Sequence, residues 1–295
     1  MAEAGIAPEF RRRSVQCASP KGLHRMAYIE WGDPRNRDVL LCVHGLTRSG
    51  RDFDELSRVL CGQFRIVCPD LAGRGESDKL ADPMLYGVPQ YLADMVTLIA
   101  RLDCESVKWL GTSLGGLVGM ALAALAGNPV KKLVLNDAGP VISRASLQRI
   151  AAYVGVMPKF ATMEKAEEYI RSISAPFGPH SDAQWRFLTE TWVRQMADGS
   201  FRPHYDPRIA EPFRAAIPEG DNMELWHVYD AMRCPTLVIR GETSDLLSHA
   251  TVAAMARRGP RARVVEIPGV GHAPTLLKPE QIAIVRDFLL EGEAQ

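Results

Sequence analysis

Residues 106–125 read SVKWLGTSLGGLVGMALAAL, and this stretch decides the fold. The mostly apolar run 107–110 predicts a buried strand, and the apolar residues at helical spacing after Ser113 predict a helix. Between them, Gly-Thr-Ser-Leu-Gly at 111–115 fits the pattern G-x-S-x-G. A serine on so tight a strand-to-helix turn adopts a strained backbone with positive φ, and Gly111 and Gly115 leave room for it. The turn therefore predicts an exposed, nucleophilic Ser113 hydroxyl.

The composition is that of an ordinary globular protein. The chain has 295 residues, of which 46% are hydrophobic and 24% charged, and 35 basic side chains balance 35 acidic ones. A net charge of zero gives no indication of nucleic acid as a partner, and no apolar stretch is long enough to predict membrane insertion. The six cysteines form no C-x-x-C pair. Free cysteines of this kind favour a reducing, cytoplasmic location.

Apolar runs alternate with helical patterns along most of the chain. This alternation predicts an α/β fold with a mostly parallel central sheet flanked by helices. Residues 1–13 are expected to form a loose arm, and 14–18 with 24–31 a hairpin. The further predicted strands are 39–43, 64–68, 107–110, 130–136, 236–240 and 263–267, and the predicted helices outside the central stretch include 52–61, 88–102, 248–257 and 279–290.

The alternation stops at Gly139-Pro140 and resumes near residue 223. Between these points the sequence predicts amphipathic helices separated by proline-rich turns, one of them with a stripe of Trp185, Leu188, Trp192 and Met196. We therefore expect residues 1–140 and 223–295 to form the core, and 141–222 to be a helical insertion, or lid, over the sheet's carboxyl edge.

A serine nucleophile needs a base, and His272 is the best placed of the seven histidines. It stands in Gly269-Val270-Gly271-His272 directly after the last predicted strand. Loops at the carboxyl ends of parallel strands are where such a sheet places its functional groups. His44, which follows an earlier strand, is expected to be structural because His272 fills the role of base better.

The base needs an acid to orient it, and several acidic residues follow predicted strands. Asp245 comes after strand 236–240 and is the expected acid, held beneath the histidine loop by residues 241–244. Glu242 is a competitor nearer the strand. Asp137, which ends strand 130–136, is the other serious candidate.

Acyl transfer also needs hydrogen-bond donors for the negative charge that develops on the carbonyl oxygen. The backbone N–H of Leu114 follows the nucleophile directly. The backbone N–H of Leu46 follows His44-Gly45 at the end of a strand that should neighbour the serine strand. These two groups are the expected oxyanion hole.

Taken together, these landmarks resemble the α/β-hydrolase family. In chain order they are His44-Gly45, Asp70-x-x-Gly73-x-Gly75-x-Ser77, the Ser113 turn, Gly241-x-x-x-Asp245 and Gly271-His272. The resemblance covers about residues 24–140 and 223–291, and it implies a helical cap at 141–222 and the order Ser113, Asp245, His272 for the triad. The dehalogenase and epoxide-hydrolase branches of the family carry aspartate where this chain has Ser113, which argues against both.

The sequence therefore predicts a serine hydrolase that cleaves carboxylic esters through an acyl-enzyme. Its expected partner is a small-molecule ester with an apolar acyl or alcohol portion, and no metal or organic cofactor is implied. The resemblance also leaves lactones, aliphatic polyesters, carbon–carbon bond hydrolysis and aminopeptidase action open. A ligand-binding receptor on a hydrolase scaffold is the alternative from another class.

Overall fold

The computed structural model describes residues 10–292 and is built on an eight-stranded sheet. The strands of this sheet are β1 (Arg11–Ser19), β2 (Gly22–Trp31), β3 (Val39–Val43), β4 (Arg65–Pro69), β5 (Val107–Thr112), β6 (Val130–Asn136), β11 (Thr236–Gly241) and β12 (Arg263–Ile267). They lie in the order β1-β2-β4-β3-β5-β6-β11-β12. β1 and β2 form an antiparallel hairpin, β2 also pairs antiparallel with β4, and all other pairs are parallel.

Of the ten α-helices within residues 10–292, six belong to the segments that alternate with these strands. Two apolar clusters, one on each face of the sheet, bury the continuous Val, Leu and Ile runs of the parallel strands, as expected for a sheet covered on both sides. The predicted mostly parallel α/β fold is therefore confirmed. These helices are α1 (Asp54–Leu60), α2 (Val88–Arg101), α3 (Leu114–Ala123), α8 (Trp226–Ala231), α9 (His249–Met255) and α10 (Pro279–Leu290).

Residues 141–222, which we call the insertion, connect β6 to the second half of the sheet. Serine or threonine side chains cap the first three of its helices, and one of these caps is a full capping box at Ser181 and Gln184. The insertion has a small apolar core of its own, which includes Phe160, Ile170 and Trp185. Its elements are α4 (Arg144–Tyr153), α5 (Met163–Ile173), α6 (Asp182–Glu190), α7 (Ala210–Ala215) and a ribbon of β8 (Val193–Gln195) with β9 (Phe201–Pro203).

The insertion is fastened to the sheet domain at several places. At its two chain ends, β7 (Val141–Ile142) pairs with β10 (Met223–Glu224). Farther along, the N–H of Gly75 donates to the carbonyl of His204 at 3.1 Å, and the N–H of Asp206 donates to the carbonyl of Gly73 at 2.7 Å. The loop that follows β4 therefore holds the insertion from the side.

Two local predictions were wrong. Residues 11–13 belong to β1 instead of a loose arm, because each pairs with a residue of β2; residues 1–9 of that predicted arm lie outside the described part of the chain. The helix with the Trp185 stripe ends at Glu190, so Trp192 leaves the stripe and packs into the insertion's core from a turn. Within residues 10–292, no helix has the length and apolar character that crossing a bilayer would require.

Candidate active site

Ser113 stands at the turn between β5 and α3, with φ 52° and ψ −114°. This conformation is strained for a residue with a side chain, and it is the strain that the G-x-S-x-G pattern predicts. A Cβ at Gly111 would overlap the carbonyl of Gly115, and a Cβ at Gly115 would overlap the carbonyl of Val43. The two glycines are therefore required by close backbone contacts around the serine, which lines a large cavity.

His272 lies in the loop after β12 and contacts the serine. Its Nε2 is 3.0 Å from Ser113 Oγ, and its Nδ1 is 2.6 Å from Oδ2 of Asp137. The three side chains thus form one chain of hydrogen bonds, with the imidazole between a hydroxyl and a carboxylate. This is the geometry in which a histidine can take a proton from a serine while a carboxylate fixes its tautomer and orientation.

Asp137 is fully buried and accepts two more hydrogen bonds. Its Oδ1 accepts from the N–H of Gly241 at 3.1 Å, and its Oδ2 accepts from the hydroxyl of Ser244 at 2.6 Å. These donors come from β11 and from the loop after it, and the His272 Nδ1–H comes from the loop after β12. The carboxylate is therefore held from three directions, which fixes its orientation and satisfies its oxygens although it is excluded from solvent.

The expectation that Asp245 lies against His272 was wrong. The Asp245 carboxylate forms an ion pair with Arg149 of α4 at 2.7 Å, and 53% of its side chain is exposed. The physical reason is strand register: Asn136 pairs with Thr112 of β5, so the next residues, Asp137 and Ser113, come side by side at the carboxyl edge. Asp245 lies four residues beyond β11, where the chain has already turned away from the edge.

Glu242, the third acid considered, is also turned away from the histidine. Its Oε2 accepts from the N–H of Gly269, in the loop that carries His272. Glu242 therefore braces that loop through its backbone. Ser244 is a site residue that the sequence reasoning missed; its position one residue before the expected acid was the signal that could have pointed to it.

Leu46 and Leu114, whose N–H groups were the expected oxyanion donors, line the same cavity as Ser113 and His272. Gly45 lies so close to the nucleophile that a Cβ added there would be 3.7 Å from Ser113 Cβ. The Leu46 carbonyl accepts a hydrogen bond from Nε of Arg74 at 2.9 Å, and this bond holds the loop after β3 in position. Arg74 is completely buried, and the sequence reasoning missed it.

His44 is structural, as the sequence reasoning expected. Its ring bridges two loops: Nδ1 donates to the carbonyl of Gly45 at 2.7 Å, and Nε2 accepts from the N–H of Leu71 at 3.0 Å. Complete burial lowers the pKa of His44 to about 3. The ring therefore stays neutral, as the acceptor role of Nε2 requires, and connects the Leu46 loop to the loop after β4.

The cavity has a volume of about 670 Å³, within the range of small-molecule sites. The sheet domain contributes the serine and the histidine, and the insertion contributes apolar side chains from several of its elements. Those side chains include Leu147, Ile150, Ile170, Phe177, Trp192 and Phe213. A polar reaction centre within largely apolar walls is suited to an ester with hydrocarbon portions.

One group of potential metal ligands occurs among residues 10–292, in the β1–β2 hairpin and α2. The ligand atoms of Cys17, His24 and Asp94 lie within 4.8 Å of one another, and all three residues are buried. His24 Nε2 is already 3.0 Å from Asp94 Oδ2, and burial, with the adjacent Asp94 charge, raises the pKa of the Cys17 thiol to about 12. A protonated thiol beside the His24–Asp94 pair is more consistent with a structural contact between the hairpin and α2 than with a metal site.

Comparisons with known proteins identify the family of this chain. Residues 38–279 match the family model described as alpha/beta hydrolase fold. The chain is 53% identical over 280 residues to a 3-hydroxybutyrate-oligomer hydrolase of Cupriavidus necator, a match that covers 93% of this chain and 96% of that protein.

Two solved structures are similar along nearly the whole chain. An alpha/beta hydrolase from Novosphingobium aromaticivorans is 39% identical with a TM-score of 0.86, covering 97% of this chain and 99% of its own. A structure from Rickettsia typhi is 31% identical with a TM-score of 0.89, covering 97% of this chain and 100% of its own. The chain therefore belongs to the α/β-hydrolase family and is an ester hydrolase.

Proposed function

We propose that this hydrolase uses Ser113, His272 and Asp137 to cleave the ester bonds of short 3-hydroxyalkanoate oligomers. The observation that carries the proposal is the continuous hydrogen-bonded chain from Asp137 through His272 to a strained serine that faces an apolar cavity. The similarity over almost the full length to a 3-hydroxybutyrate-oligomer hydrolase supports the substrate class. Such oligomers are aliphatic esters in which a short hydroxy acid is both acyl and alcohol portion.

The proposed reaction has two steps. In the first, Ser113 Oγ attacks the ester carbonyl while His272 Nε2 takes its proton, and the N–H groups of Leu46 and Leu114 stabilise the oxyanion. The histidine then gives the proton to the departing alkoxide, which leaves as the hydroxyl of a shortened oligomer. In the second step, water activated by His272 attacks the acyl-serine and releases a hydroxy acid with regeneration of Ser113.

The insertion is assigned the role of lid in this proposal. Its support is that the insertion supplies the apolar walls of the cavity, while the sheet domain supplies the reacting groups. A cytoplasmic location is part of the proposal too, supported by six cysteines that are free in the structure.

The test is incubation of the purified protein with the linear trimer of 3-hydroxybutyrate and, separately, with p-nitrophenyl butyrate. Released 3-hydroxybutyrate is followed by mass spectrometry, and Ser113→Ala is the control. Sustained release from the trimer, absent in Ser113→Ala, is the expected result. Turnover of the nitrophenyl ester without turnover of the trimer would refute the substrate class. Stoichiometric binding without turnover of either compound would favour a receptor.

A further inference from the structure

The cavity is lined by charged side chains that take no part in the hydrogen bonds among Ser113, His272 and Asp137. Beyond the reacting histidine these side chains are Arg48, Arg149 and Asp245. Arg48 is fully engaged in structure, because its guanidinium contacts Asp52 through Nε and Nη2 and the carbonyl of Leu188 through Nη1 and Nη2. Arg149 is therefore the cavity-lining arginine whose guanidinium is better placed to contact a substrate.

Arg149 projects from α4 at a solvent-exposed part of the cavity. Its Nη2 is 2.7 Å from Oδ2 of Asp245, and the two side chains are 47% and 53% exposed. Tyr153, one helical turn farther along α4, lines the same cavity. The contact with Asp245 shows that this guanidinium can reach a carboxylate at the cavity wall at ion-pair distance.

In the ion pair between Arg149 and Asp245, the aspartate can be replaced easily by another carboxylate. Ion pairs as exposed as this one contribute little to stability, so a second carboxylate can replace the first at small cost. Asp245 follows Ser244, whose hydroxyl bonds the Asp137 carboxylate, so the ion pair belongs to the acid side of the same cavity. A carboxylate bound by Arg149 would thus share the cavity with an ester at Ser113.

We propose that Arg149 binds a free carboxylate of the substrate, and that Asp245 occupies the guanidinium until that carboxylate displaces it. The inference rests on the proposed function: a linear hydroxyalkanoate oligomer ends in a carboxylate, whereas its methyl ester and a long neutral polyester segment offer none. Binding of this terminus selects short, soluble oligomer acids, because an Arg–carboxylate contact is a strong and directional hydrogen bond.

The experiment compares the trimer acid of 3-hydroxybutyrate with its methyl ester, by measuring kcat/KM for both. The wild type is expected to prefer the acid. Arg149→Met should lower the ratio of acid to methyl ester by roughly two- to fivefold, through KM of the acid, since a contact between charged groups as exposed as these is worth about that much. Arg149→Lys, which keeps the charge but loses the planar fork, should give an intermediate ratio.

The Asp245→Asn variant distinguishes two roles for Arg149, namely binding of a substrate carboxylate and formation of a structural salt bridge. Removing the competing carboxylate should raise the ratio several-fold, whereas a structural role would make Asp245→Asn and Arg149→Met change it in the same direction. Arg186→Met is the matched control: Arg186 forms an exposed pair with Glu190 on α6 and does not line the cavity, so its ratio should equal that of the wild type.

The outcomes distinguish this inference from the proposed function. A protein that hydrolyses neither the acid nor the methyl ester overturns both. A protein that hydrolyses the trimer with a ratio unaffected by Arg149→Met overturns the carboxylate site and leaves the proposed function standing.

Discussion

Oδ2 of Asp137 lies 2.6 Å from Nδ1 of His272, although 135 residues separate them in the chain. The contact joins the end of β6 to the loop after β12 across β11, which lies between these strands. It places the triad acid of the proposed mechanism at Asp137.

The first prediction concerns the two aspartates. Asp137→Asn should lower kcat on p-nitrophenyl butyrate by up to about 10⁴-fold, because the imidazole loses the carboxylate that fixes its tautomer. Asp245→Asn should lose far less, since its carboxylate faces Arg149. Circular dichroism and thermal melting verify that both variants fold. A larger loss of activity in Asp245→Asn than in Asp137→Asn would show that Asp245 is the triad acid.

The nucleophile is tested by Ser113→Ala. Removing a triad member should reduce kcat by on the order of 10⁴- to 10⁶-fold while the fold stays intact. Labelling with a fluorophosphonate probe should disappear in this variant and persist in Ser172→Ala, an exposed serine on α5. Retention of more than a few per cent of the activity would contradict the assignment.

The hydrogen bond from the Ser244 hydroxyl to Asp137 gives a third prediction. Ser244→Ala removes one of the donors that orient the carboxylate, and a loss of about 1.4 kcal/mol in that orientation corresponds to roughly tenfold in kcat. Ser244→Thr keeps the hydroxyl and serves as the matched comparison. Equal kcat values for wild type and Ser244→Ala would show that the remaining donors suffice.

The apolar walls of the cavity predict a preference among acyl chains. Each additional buried CH₂ is worth about 0.8 kcal/mol, so kcat/KM should rise about fourfold per methylene from p-nitrophenyl acetate to the hexanoate. Phe177→Ala, which trims one wall, should flatten this rise. A strict preference for acetate would refute an apolar acyl site.

Asp70 gives a prediction about stability and pH. Burial raises its pKa from 3.8 to about 6, against the hydrogen bonds from the N–H groups of Glu76 and Gly50. The folded protein thus binds this proton more tightly than the unfolded chain does, so the stabilising contribution is full below about pH 4 and is lost as the pH rises through 6.

The measurement is urea unfolding of wild type and Asp70→Asn at pH 4 and pH 7.5. The free energy of unfolding of the wild type, relative to the variant, should be up to about 3 kcal/mol higher at the lower pH. A difference that is independent of pH, or larger at pH 7.5, would show that Asp70 does not titrate in this way.

The fold and the contact between Ser113 and His272 were predictable because their signals are local. Apolar runs set the parallel strands, the glycines around Ser113 set the turn, and the loop after the last strand presents His272. The acid was not decided by such signals, because both aspartates follow strands. The choice depends on the register of β6 against β5, which aligns Asn136 with Thr112, and a single sequence does not contain that register.

The way the insertion is fastened has a consequence for how substrate enters. It is held by the β7–β10 ribbon, by the backbone bonds between Gly73, Gly75 and residues 204–206, and by the N–H of Gly271, which donates to the Pro176 carbonyl at 2.6 Å. Swinging outward as one body would break these bonds together, at about 0.5–1.5 kcal/mol each. Opening of the insertion as one body is therefore costly, and a truncation that removes it would also remove hydrogen bonds from the loop after β4 and from the loop that carries His272.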